Sequence, residues 1–173
     1  MILNLKIFLD ILMFSRGPQD LPSSKQLLKI IIFLNIIIGL ITVDPKISYM
    51  VNIFFAVIYI LVTLVFIKIC LDIKDKDTSS GIKYASRYIQ VCSGTLGAHA
   101  LIALFSSVMT LLLLSAESAL LLTFLVISIY AWVVNGHIFK NAFDTNLTMG
   151  MAISLLHSIS CVFVMMLFIQ LFV

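Results

Sequence analysis

Polar positions along this chain are few and clumped, and the clumps divide it into apolar runs of the length a bilayer requires. A hydrocarbon core about 30 Å thick takes roughly 20 residues of helix. Runs at 27–43, 47–70, 88–114, 119–138 and 147–173 meet or approach that length. None alternates strictly between apolar and polar residues as a barrel strand would, so each is predicted to be a helix crossing the membrane. The opening run, MILNLKIFLDILMFS at 1–15, is too short to span and carries Lys6 and Asp10, four apart on one helix face. Its charge does not precede an uninterrupted apolar core, as it would in a secretory signal. It is predicted to be an interfacial helix lying along the membrane surface. Between it and the first span, residues 16–26 form a hinge in which Gly17, Pro18 and Pro22 break helical continuity. Pro18 pushes Gly17 toward an extended backbone. Ser23 with Gln26 three residues later reads as a capping box opening the next helix.

Composition sharpens this into a class. The chain is 62% hydrophobic and 11% charged over 173 residues, whereas charged residues make up about a quarter of a soluble domain. The expected fold is all-α: an integral membrane helical bundle of five transmembrane helices preceded by the short interfacial helix, with 27–173 as the spanning domain. Lys and Arg set its orientation. Of the 11 basic residues, all but Lys46 fall on one side of the five-span threading, a strong positive-inside bias. The N-terminus is therefore expected in the cytoplasm and the C-terminus on the opposite face, in the cytoplasmic (inner) membrane of a bacterium. In that threading Asn146-Leu147-Thr148 is a chance glycosylation match. The lipid bilayer and other membrane subunits are the expected partners, and nothing in the charge pattern suits a nucleic acid. Cys70, Cys92 and Cys161 are unclustered, which fits packing and not a disulfide framework or zinc site.

Polar groups at membrane depth are costly, so they mark where chemistry or specific packing is concentrated. His99 and His157 are expected at matched depth, about 15 Å from the cytoplasmic ends of their helices at 1.5 Å per residue. Around them run stripes of small and polar residues at spacings of three and four: Cys92, Thr95, His99, Ala103, Ser106 and Thr110 on the third span, broadened by Gly97, and Gly150, Ser154, His157 and Cys161 on the fifth. Such stripes let backbones approach and hydroxyls bond across the contact, which predicts a polar seam between the third and fifth spans. A sharper alternative is that both imidazoles ligate one b-type haem; a proton or metal site is another. Asn35 and Asn52 are expected to bond between helices, and Asn135, His137, Lys140 and Asp144 to form a solvated helix end. Tyr49, Tyr84, Tyr88 and Trp132 are placed as interfacial anchors. No catalytic set, phosphate loop or metalloprotease pair occurs, so no cofactor and no enzymatic activity are expected.

The segments RGPQDLPSS and YAWVVNGHIFKNAF resemble parts of small bacterial multi-span membrane proteins, some of them assigned to the Yip family. The layout of a cytoplasmic N-terminal segment and five closely spaced spans is similar to that family as well. The resemblance implies a non-enzymatic membrane protein. The family's eukaryotic members, associated with membrane traffic and small GTPases, carry a longer polar N-terminal region than these residues provide. On all these grounds the expected function is that of an accessory, assembly or scaffold subunit of a membrane complex, with a small transporter or channel subunit as the alternative and a haem or other redox protein after it.

Overall fold

A computed structural model describes residues 5–41, 49–77, 83–113 and 117–172. Six α-helices follow in order among them: α1 (Leu5–Leu12), α2 (Lys25–Ile41), α3 (Tyr49–Asp77), α4 (Tyr88–Leu112), α5 (Glu117–Ala142) and α6 (Leu147–Phe172), with short 3-10 turns at Pro18–Asp20 and Tyr84–Arg87. The end of the first expected span with Asp44, Pro45 and Lys46, the Ser79–Gly81 break and part of the SAES turn lie outside the described residues. Helices α3 to α6 are long and apolar enough to cross a membrane, and the chain is a multi-pass integral membrane protein. The first expected span corresponds to α2, of which 17 helical residues are described.

The spanning helices form a ring in which α3 packs on α4, α4 on α5, α5 on α6 and α6 back on α3. Helix α2 lies in the groove between α3 and α4, and α1 with the Pro18–Asp20 turn docks on α4 and α5. Two expected boundaries move. Helix α3 continues seven residues past Cys70, through residues predicted as loop. Lys74 and Lys76 in its last turn complement the helix dipole. Asp75 holds it there, its carboxylate accepting from the backbone N–H groups of Tyr84 and, at 3.0 Å, Ala85. Helix α5 continues past Ile138 to Ala142 because Phe139, Ala142 and Phe143 are buried and complete an apolar face. Arg87 closes that end: its Nη1 lies 2.9 Å from Asp144 and donates to Ala142 O at 3.2 Å. Asp144 itself sits at φ 48°, the left-handed turn that ends a helix. Asn146 then opens α6, its Oδ1 accepting from Met149 N at 2.8 Å.

The N-terminal segment departs most from expectation. One face of α1, with Phe8, Ile11 and Leu12, is buried against the bundle, while Leu5, Leu9 and Met13 point outward. Phe8 rests on Gly97, where any side chain on α4 would overlap its ring. Gly97 is nine residues past the start of α4, about 14 Å along the axis. Helix α1 thus packs against α4 at the level of Gly97, where the small face of α4 admits an aromatic ring. The helix ends in a Schellman turn, with Phe14 N donating to Ile11 O at 3.0 Å and Ser15 N to Asp10 O at 2.9 Å. Phe14 adopts φ 60° there. Its ring packs edge-on against Tyr130 and His137 at 6.1 and 5.4 Å. Tyr130 Oη donates to Leu12 O at 2.9 Å, and His137 Nε2 to Arg16 O at 2.9 Å. So the predicted solvated end of the fourth span carries the hinge. Gly17 is extended (φ −108°, ψ 173°), and Pro18 packs beside Gly94. The cap of α2 falls one residue later than predicted: Ser24 Oγ, not Ser23, accepts from Leu27 N at 3.3 Å.

Candidate functional site

The groups that sequence analysis singled out at membrane depth gather in two polar centres. In the first, Asn35 of α2 is 4% exposed, and its Nδ2 donates to Ile31 O at 2.9 Å and across to Leu96 O of α4 at 3.0 Å. Carbonyl oxygens only accept, so the amide orientation is determined, and Oδ1 faces His99 Nδ1 at 2.9 Å. An amide oxygen needs a donor, which puts the imidazole proton on Nδ1 and leaves Nε2 of the neutral ring as an acceptor. The Tyr59 ring of α3 stacks on this imidazole at 4.0 Å with an interplanar angle of 28°.

In the second centre, His157 of α6 is 2% exposed and its Nε2 lies 3.0 Å from Thr63 Oγ1 of α3 and 3.5 Å from Cys161 Sγ. Phe66 and Phe139 enclose it at 5.1 and 5.9 Å, and Tyr59 presents its ring at 6.0 Å. Tyr59 therefore touches both histidines, and each imidazole bonds to a different helix.

The expected seam between the third and fifth spans is replaced by two separate contacts. The stripe on α6 meets α5 and α3: Gly150 abuts the backbone of Gly136 and Lys140, and Ser154 Oγ donates to Trp132 O at 3.0 Å. The stripe on α4 meets α1 through Gly97 and α2 through His99. Higher up, Ser106 lines the crevice against Thr123 and Phe124 of α5. Thr95 Oγ1 and Ser93 Oγ are buried without a hydrogen-bond partner. The physical reason is helix order around the ring: α3 and α5 each stand between α4 and α6, so residues of matched depth on α4 and α6 are not neighbours. Sequence spacing gives the face of a helix, not the identity of the helix it meets.

A b-type haem held by His99 and His157 would need both imidazoles turned toward one open slot. As arranged they do not fit it, because the Tyr59 ring occupies the space by stacking on one and edging the other. Among the described residues no three His, Cys, Asp or Glu side chains gather at one point. The three cysteines are free thiols, with Cys92 and Cys161 buried. Of the aromatic anchors, Tyr84 is instead buried beneath Lys74 and Arg87, whose cationic groups lie 5.6 and 5.1 Å from its ring centre. Trp132 Nε1 donates to Met151 O at 3.2 Å.

What sequence reasoning passed over is a cavity of about 220 Å³ between α2, α3, α4 and α6. Asn35, Asn52, Tyr59 and His99 supply its polar lining, and Phe55, Ala56, Ala103 and Met165 part of its apolar lining. The Nδ2 of Asn52 is buried there without a hydrogen-bond partner. The one sequence signal was the pairing of Asn52 with Tyr59, seven residues apart on one face of α3 and separated only by apolar residues.

Comparison with known proteins gives no match, whether to protein-family models, to curated proteins or to solved structures.

Proposed function

We propose that this chain is a non-enzymatic subunit of a membrane complex, an accessory or scaffold protein that acts by holding a neighbouring transmembrane helix. In this reading α2 also crosses the membrane, making five crossings in all, and the N-terminus faces the cytoplasm of a bacterial cell and the C-terminus the opposite side. The observation that carries the reading is the outer half of α5. From Ser118 to Tyr130 that helix is half-buried only along the face that meets α4, while Leu121 and Leu125 are 71% and 59% exposed. Ser128 stands exposed on the same bare stripe, at i+3 from Leu125. It lies about 16 Å from the outer end of α5 and about 21 Å from the inner end, near mid-membrane. A hydroxyl there gains most by bonding to another helix, since lipid offers no partner. The Yip-like resemblance of RGPQDLPSS and YAWVVNGHIFKNAF points the same way, toward a protein whose role is binding.

Photo-crosslinking side chains placed at Leu121, Leu125 and Ser128 in intact membranes test this. The expected product is a discrete band heavier than the 19.3 kDa chain, absent when the same group is placed at Val162 on the outward face of α6. Crosslinks to lipid alone from all four positions would refute it. The transporter reading is favoured by the cavity between α2 and α3, and it requires that cavity to continue past the Tyr59–His99 stack. Substrate flux in vesicles that Tyr59→Ala increases would support that reading instead.

A further inference from the structure

The cavity between α2, α3, α4 and α6 has a chemistry of its own, independent of whether α5 recruits a partner. Two of its groups have unused hydrogen-bonding capacity. The Asn52 amide has a buried Nδ2 with no acceptor. His99, with its proton committed to Asn35 Oδ1, keeps an acceptor lone pair at Nε2. A donor left unmade in a low-dielectric interior is costly, and in a membrane no bulk water relieves it. No charged side chain is among the cavity's lining residues, so an ionic head group entering it would find no countercharge. The rest of the wall is apolar, with Ala56 and Met165 beside the polar set.

From this we infer that the cavity binds the uncharged hydroxyl-bearing head of a single-chain amphiphile of the monoacylglycerol type. A hydroxyl can accept from Asn52 Nδ2 while a second hydroxyl donates to His99 Nε2. Glycerol offers both on adjacent carbons, and the acyl chain continues along the apolar wall into lipid. A fatty-acid anion would bring a charge with no countercharge. An ester without a hydroxyl would leave His99 Nε2 unused.

The test uses the full chain in phospholipid nanodiscs with a monoacylglycerol carrying a photoactivatable diazirine in its chain. Labelling should saturate, map to Phe55 or Met165, and be displaced by unlabelled monoacylglycerol but not by its methyl ester counterpart or by the fatty-acid anion. Ala103→Phe, which fills the cavity, should lower labelling about tenfold, and Asn52→Leu, which removes one hydrogen bond, about fivefold. Asn52→Leu removes the unpartnered Nδ2 donor, and its unfolding in detergent should match the parent protein's, so that its loss of labelling is read on folded protein. The inference is overturned by non-saturating labelling spread equally over Val162 and Phe163, as for a cavity holding only water. It is equally overturned by undiminished labelling in Ala103→Phe, by equal displacement with the methyl ester or the anion, or by an Asn52→Leu protein that binds normally.

Discussion

Replacing Gly97 by Ala tests the seat of α1 directly. The added methyl would overlap the Phe8 ring, which is 3% exposed and packed between α1 and α4. Overpacking of this kind costs about 1–3 kcal/mol, and the better helix propensity of Ala returns up to about 1 kcal/mol. The net expectation is a loss of about 1–2 kcal/mol. What goes with it is the pair of bonds from Tyr130 to Leu12 O and from His137 to Arg16 O. Unfolding of the purified protein by titration with a denaturing detergent measures the loss, and amide hydrogen exchange over Leu5–Leu12 should accelerate in the same variant. In a Phe8→Ala background the methyl has room, and the cost of Gly97→Ala should fall below about 0.5 kcal/mol, a coupling typical of residues in contact. If Gly97→Ala is neutral with Phe8 in place, or its cost persists without the ring, Phe8 is not seated on Gly97 and α1 is a surface helix after all.

Four further outcomes follow from the same geometry. Asn35→Ala should cost on the order of 1 kcal/mol, and the double change with His99→Ala should cost less than the sum, whereas His99→Ala and His157→Ala should be more nearly additive because their hydrogen-bond partners differ; strong coupling within the histidine pair would restore the seam first expected. Phe14→Gly should be more stable than Phe14→Ala by about 1 kcal/mol, since both lose the ring but only glycine adopts φ 60° without strain; thermal melts of the two variants decide it. Arg87→Leu should lower the melting temperature, because Nη1 alone meets both Asp144 and the Ala142 carbonyl, and Arg87→Lys, whose ammonium carries three donors, should recover part of that loss; a Leu protein that melts with the Arg protein would refute it. Cysteines at Ser23 and Lys46 should react with impermeant reagents from opposite faces if α2 spans; labelling from one face would leave four crossings.

The helices were legible because a bilayer demands long apolar runs, and Leu147–Phe172 lies within one residue of its predicted range at either end. Boundaries set by tertiary contacts were not. Nothing local says that Asp75 will reach the Tyr84 backbone or that Phe139 and Phe143 will be buried, and both contacts extend a helix past its apolar run. The candidate site was half legible. Polar residues within the spans drew attention to His99, His157, Asn35 and Asn52, and the structure gathers His99 and Asn35 in one centre and lines a cavity with Asn52. Their pairing was hidden, because which helix faces which depends on ring order, and composition carries no record of it. Tyr59 escaped for a different reason: a tyrosine inside a span reads as bulk until its ring is found lying on an imidazole.

The seat of α1 also imposes an order on biosynthesis. Leu12 leaves the ribosome 118 residues before Tyr130, the residue that bonds to it. At about 5–20 residues per second, that is roughly 6–24 s of translation during which α1 lacks half its dock. It must wait at the membrane with Phe8, Ile11 and Leu12 unclaimed, and enter only when α4 and α5 have both been threaded. A segment made before α4 and α5 thus reaches its native position only after them, and a nascent chain arrested before Tyr130 should hold α1 in a different place from the finished protein.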